Sequence, residues 1–247
     1  MATKAFLRTT TAVLLLLAGA LPLSGGPSPP EQWAMHLKEV GQKLRAQQWE
    51  EAEKQVLRVA DQIVERTGTG QGAAYFLAVA SALQAIAESG LRREEEADWH
   101  WDMALNLFPD IAKTDLSPYS PSADRFKTRQ LRSADPDRTS PQAVEAAKQD
   151  AIKKDIQPPR IIRQARPKFP EGLRQMGVSG NLAVETIIDR DGVPRQPLVL
   201  STQGVGPAMK YAALEALRQW RFEPARLEGE PVKVYYVLTI NFINKPR

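Results

Sequence analysis

Asp189 and Asp191 stand two apart in the run Ile188-Asp-Arg-Asp-Gly192. Two neighbouring carboxylates are the groups that general acid–base chemistry uses. Here they flank an Asp-Gly step, which tolerates the positive φ of a tight turn, so turn formation is the expected role. GTGQG at residues 68–72 has the glycine density of a phosphate loop. It follows a helical pattern rather than a strand and lacks a Gly-Lys-Ser/Thr ending. Ser201 has no histidine near it in sequence and no strand–turn–helix elbow around it. His100 lies between Trp99 and Trp101 on a helix as one histidine with no paired ligand, so a structural role is expected. Glu94, Glu95 and Glu96 open a helix, where negative charge suits the dipole. With no cysteine in the chain, thiol nucleophiles, disulfides and cysteine–metal sites are excluded. No catalytic constellation is left, and the reading is a non-enzyme with no cofactor and no metal.

The 247 residues, 43% hydrophobic and 25% charged, can build one or two ordinary cores. The N-terminus carries Lys4 and Arg8, then a 12-residue, mostly apolar run over residues 12–23, then the small residues Ala18-Gly19-Ala20 within it. That run is short for a span of about 20 residues and contains Pro22. Residues 1–26 are therefore expected to be a secretory signal peptide, with an uncleaved anchor as the alternative. Either way the rest of the chain is exported: periplasmic after cleavage, or anchored in the inner membrane and facing the periplasm. The net charge of +4 is uneven, with residues 158–247 holding 14 Lys+Arg against 8 Asp+Glu and the middle of the chain acidic. The asymmetry points to two modules. No basic cluster is interleaved with aromatics, and nucleic acid is not an expected partner.

Residues 27–109 read as a helical domain of four helices over 31–48, 49–66, 73–89 and 92–108, each with apolar residues at helical spacing. Short connections imply antiparallel neighbours. LKEVGQKLRAQQWEEAEKQVLRVA and the ending EEEADWHWDMALNLFPD resemble tetratricopeptide repeats, though without a clean 34-residue period; a plain four-helix bundle is the alternative. Residues 110–157 are Ser/Pro/Asp-rich and read as a linker with a short helix over 141–154.

Residues 158–247 alternate helix and strand signals. A short helix follows Phe169-Pro170, a strand runs over 181–189, and its return runs over 195–202 with Gln196, Leu198 and Leu200 on one face. A helix over 207–220 has Met209, Ala213, Ala216, Leu217 and Trp220 as its apolar stripe, and Lys210, Glu215, Arg218 and Gln219 facing water. The last strand is the most regular. Val232, Val234, Tyr236, Leu238, Ile240 and Phe242 share one face; Lys233, Tyr235, Val237, Thr239 and Asn241 share the other. The fold class is thus an α+β C-terminal domain, a small antiparallel sheet with two helices on one face, preceded by an all-α domain.

These residues resemble the TonB C-terminal domain family. The resemblance is carried in order by Phe169-Pro170, by Gly177 and Gly180, by Ile188 to Gly192 including Asp191 and Gly192, by Ala212, Ala213 and Ala216, by Trp220, Arg221, Phe222 and Pro224, and by Gly229, Pro231 and Val232 before the final strand. It departs at Met209-Lys210, where many members have Leu-Asp, and in lacking a long Pro/Glu/Lys spacer and a histidine-bearing anchor; His36 and His100 lie in the helical half. The resemblance implies a role in energy-coupled outer-membrane transport. The last strand would be a sheet edge, with Lys233, Tyr235, Val237, Thr239 and Asn241 meeting a receptor peptide or other envelope protein by strand addition. Lys233 would guard that edge against promiscuous pairing, and Trp220 would plug a helix end onto the sheet. An inner-membrane motor complex is implied as a further partner if the chain stays anchored.

Overall fold

The computed structural model describes residues 28–66, 71–132, 145 and 156–244. The expected export segment and nearly all of the helix expected over 141–154 lie outside them. Four helices open the described chain: α1 (Pro29–Arg45), α2 (Trp49–Arg66), α3 (Gln71–Gly90) and α4 (Glu94–Leu107). The start of α1 is held by Glu31, whose carboxylate accepts from the Ser28 N–H at 2.7 Å and from its hydroxyl at 2.9 Å, the reciprocal half of a capping box. α2 buries one stripe, Ala52, Val56, Val59, Ala60 and Ile63. α3 is buried on almost every side because α1, α2 and α4 all pack on it. Its many alanines allow that close approach. Two short 3-10 turns, Pro109–Lys113 and Pro121–Phe126, then fold the expected linker back onto the helices through Ile111, Leu116 and Phe126. Phe126 stacks on Trp101 at 5.0 Å.

The second half contains short strands β1 (Ile156–Gln157) and β2 (Arg160–Arg163), helix α5 (Glu171–Gln175), strands β3 (Gly180–Ile188) and β4 (Pro194–Gln203), and helix α6 (Pro207–Arg218). Strands β5 (Arg221–Glu223), β6 (Ala225–Leu227), β7 (Glu230–Val232) and β8 (Val234–Phe242) follow. The principal sheet is antiparallel in the order β4-β3-β8; β2 pairs with β5, and β6 pairs with both β1 and β7. The architecture is an all-α region followed by an α+β domain.

Three local expectations are corrected. First, β4 does not alternate simply: its pairing with β3 slips twice, and Gln196 adopts a left-handed φ of 50°. The bulges turn Gln196 outward while Pro197 and Leu198 are both buried. Second, the final strand begins at Val234. Val232 ends β7, whose hairpin with β6 turns on Glu228 and Gly229, both at positive φ. Third, Glu215 does not face water. The helical layer covers α6 from the other side, with α2, α3 and α4 all in contact with it. The buried apolar side chains of the two halves form one continuous cluster, from Trp33 through Leu83 and Leu217 to Phe242.

Candidate partner-binding edge and the seam beside it

β8 pairs with β3 in unbroken register from Gly180↔Phe242 to Ile188↔Val234. Among the described residues β3 is its one partner, so the opposite edge of β8 is open. Leu238, Ile240 and Phe242 are buried, and Tyr235, Thr239 and Asn241 on the other face are exposed. Val237 is half-buried. Lys233 is exposed and stands at the break between β7 and β8 rather than inside the strand.

The motif residues hold this strand in place. Trp220 is buried and its indole N–H donates to the Ala165 carbonyl at 2.8 Å. Phe222 lies between Trp220 and Tyr236, meeting the latter edge-on at 5.8 Å. The Phe222 N–H donates to the Gly192 carbonyl at 2.9 Å. Gly192 has φ 73°, and a Cβ there would overlap the Phe222 carbonyl; that close approach ties the β3–β4 hairpin to the end of α6. Phe169 meets Phe242 edge-on at 5.3 Å, and Pro170 stands at the N-cap of α5. A Cβ on Gly180 would overlap the Gln203 carbonyl across the sheet. Pro224 separates β5 from β6. Asp191 is exposed, and its N–H donates to Asp189 Oδ1 at 2.9 Å. Asp189 also accepts from the Val193 N–H at 2.8 Å and from Arg195 Nε at 3.0 Å, which is turn chemistry.

Residues 129–132 run beside the outer face of the sheet. The Arg132 guanidinium pairs with Glu185 of β3, donates to the Gln196 carbonyl at 2.8 Å, and lies 5.2 Å from the centre of the Tyr235 ring. Glu185 is fully buried, and a buried carboxylate needs such a partner. Nearby, Arg129 forks onto Asp102 at 3.1 and 2.7 Å and reaches Asp98 at 3.0 Å. Burial pushes the Asp102 carboxyl up to about 6 in spite of that fork. Arg195 Nη2 pairs with Glu95 at 2.6 Å. Glu95, Asp98, Asp102 and Asp189 line one cleft, and each is taken up by a guanidinium. Among the described residues no group of three or more His, Asp or Glu side chains is arranged to hold a metal.

His100 is fully buried at the seam. Its Nδ1 lies 2.6 Å from Glu88 Oε2 of α3, and its Nε2 lies 3.0 Å from Glu215 Oε1 of α6. Burial opposes the imidazolium, but the Glu88 charge and the Glu215 hydrogen bond outweigh it and raise the pKa from 6.5 to about 9. Burial likewise opposes the Glu215 charge, but the His100 and Arg218 contacts bring it down to about 2. Both groups are therefore charged at neutral pH, and they join the halves of the chain. Sequence reading placed His100 as structural but missed Glu215, Asn106, Glu185 and Arg132. The one available signal was Glu185, a carboxylate inside the apolar run Val184 to Ile188.

Comparison with known proteins agrees with the geometry of the second half. The chain is 33% identical over 85 residues to "Protein TonB" of Vibrio cholerae serotype O1. The alignment covers 34% of each protein, so the chain spans about a third of the length of the curated relative it matches. Residues 165–243, from Ala165, whose carbonyl takes the Trp220 indole, to just past the end of β8, match the family "Gram-negative bacterial TonB protein C-terminal".

Proposed function

We propose that this chain is a non-enzymatic cell-envelope protein that binds a partner by adding an extended peptide strand to β8, as part of energy-coupled outer-membrane transport. The observation that carries the reading is the open edge of β8 within the segment matching the TonB C-terminal family. Main-chain hydrogen bonds would supply affinity, while Tyr235, Thr239 and Asn241 on the exposed face would sort partners. The partner is an extended segment of an outer-membrane receptor or another envelope protein. Residues 1–26 export or anchor the chain, residues 27–109 form a tetratricopeptide-like helical domain, 110–157 link it, and 158–247 carry the edge.

A photoactivatable cross-linker on Thr239→Cys tests the mode directly, because the chain has no other cysteine to react. In envelopes of the native host the expected adduct maps to an extended segment of an outer-membrane receptor. Val237→Pro should remove it while the helical half stays folded, since proline disrupts strand pairing. An adduct undiminished by Val237→Pro counts against strand addition.

A second reading, a periplasmic adaptor that transmits no force, draws support from the helical layer. Among the described residues that layer is docked on α6. The intact mass of the envelope-derived protein separates the two. A mass short by about 20–26 residues in the soluble fraction favours the adaptor, and a full-length, membrane-bound protein favours a transducer coupled to a motor complex.

A further inference from the structure

The cleft between α4, Arg129 and the outer face of the sheet encloses about 320 Å³ and is walled by both halves of the chain. That volume is at the lower end of small-molecule sites. Its carboxylates are already engaged: Glu95 and Asp189 hold Arg195, and Asp98 and Asp102 hold Arg129. Its donors are not. Trp99 lines the cleft from α4 and is 3% exposed, yet its indole N–H meets no acceptor among the described residues. A buried N–H without an acceptor is costly and calls for a physical reason. Lys233, at the break before β8, lines the same cleft and forms no ion pair among the described residues. In a neighbouring cleft that shares Asp102, Arg129 and Gln196 with this one, Arg132 Nε is orphaned as well.

What the cleft lacks is therefore an acceptor, and the charge balance says of which kind. A cationic ligand finds no free carboxylate there. Lys233 is one uncommitted cation, enough for one negative charge. A phosphate monoester, at about −1.5 to −2 near neutral pH, would bring excess negative charge among the carboxylates of the wall. A carboxylate carries a single charge on two oxygens, one for the indole N–H and one for the ammonium.

We propose that this cleft is a binding site for one organic carboxylate, held between Trp99 of the helical half and Lys233 at the root of β8. The site lies on the face of the sheet rather than on its open edge, so it stands whether or not β8 takes a peptide. A ligand there touches both halves and fastens the junction of α4 with the sheet.

Sodium acetate is the first probe, added to the full chain labelled with ¹⁵N at its tryptophan indoles. One of the five indole N–H resonances should move downfield and saturate, while sodium chloride at equal concentration leaves it in place. Trp99→Phe should delete that resonance. Lys233→Gln should weaken acetate about twofold to fivefold, the effect of one exposed ion pair. If Trp99→Phe does not fold, Lys233→Gln, at an exposed position, carries the test alone. Trialanine and its C-terminal amide separate the sources of the carboxylate. Trialanine binding about tenfold more tightly than acetate, with the amide silent, identifies a peptide C-terminus; equal affinities identify a free carboxylic acid. The absence of a saturable shift with either probe means that water serves Trp99, and overturns the site. So does a responding resonance that survives Trp99→Phe, or an acetate affinity that Lys233→Gln leaves unchanged. Tighter binding of inorganic phosphate than of acetate overturns the choice of a carboxylate.

Discussion

The two sides of α6 are held by different physics. Toward the sheet, the stripe Met209, Ala213 and Leu217 is buried in an apolar core with Leu182, Val184, Leu238 and Ile240. Toward the helical layer, Lys210 meets Asn106, and Glu215 meets His100, which in turn meets Glu88, at a seam dense in polar groups. Salt links run along the same seam, including Lys168 to Glu65 at 3.0 Å and Arg195 to Glu95 at 2.6 Å. The acidic middle of the chain and its basic end are thus complementary surfaces. Apolar contact is non-directional and supplies the bulk of stability. The polar seam contributes less net energy but admits few geometries, because each buried charge must find its partner.

The apolar side should break hardest. Leu238 is 8% exposed, on the face of β8 that enters the core. Leu238→Asp would bury an unpaired carboxylate there and should destabilise the C-terminal domain by ~5 kcal/mol, enough to unfold it. Urea denaturation followed by hydrogen exchange at the β3 and β8 amides reads the change in that domain. An unshifted midpoint would contradict the assignment of that face to the core.

The seam should break next. His100→Leu leaves Glu88 and Glu215 as buried charges without their common partner, at a cost of about 4 kcal/mol. The loss should appear as separation of the halves: faster exchange in α6 and α4, with β3 and β8 still protected. A loss confined to the sheet would refute the seam as the weaker junction.

The same contact fixes a pH window. The His100 pKa in the fold, about 9, lies above its ordinary 6.5. Its stabilisation is complete below pH 6.5 and disappears as pH rises through about 9. Glu215 is depressed from 4.5 to about 2, so its share is present above pH 4.5 and is lost as pH falls through about 2. Both shifts describe one interaction and count once. The stability difference between the parent and His100→Leu should therefore shrink by roughly 3 kcal/mol as pH rises from 6.5 to well above 9. Taking the difference offsets Asp102, whose burial-raised carboxyl is held by Arg129 and makes no contact with His100. A difference that does not vary with pH would mean that the imidazole is neutral throughout.

The contrast between the two sides of α6 is also the contrast between what could and could not be read from the residues. The period-2 pattern of β8 and the bounds of α2, residues 49–66, follow from apolar spacing alone, because burial of a face leaves a periodic trace. Glu215 gave no such trace: a glutamate on a helix looks solvent-facing until a histidine 115 residues away is placed against it. Gln196 hid the β4 bulge for a related reason, since no glycine marks its positive φ. Asn106 and Arg132 act through backbone carbonyls of distant strands, which carry no residue code at all.

The smallest expected effect lies where seam and open edge meet. The Arg132 guanidinium faces the Tyr235 ring, which is 49% exposed, while its Nη1 holds buried Glu185. Tyr235→Leu keeps apolar surface and strand propensity but removes the aromatic face, a loss of about 0.5–1 kcal/mol for a solvent-exposed cation–π contact. The decrement should vanish when Arg132 is already replaced by Met, so that a double-mutant cycle isolates the pair from other losses caused by either change. A coupling energy of zero would detach residues 129–132 from the edge strand and leave Arg132 as a counter-ion for Glu185 that also binds the Gln196 carbonyl. A measurable coupling would mean that a ligand strand arriving at β8 meets a tyrosine whose orientation is set by the segment that leads out of the helical layer.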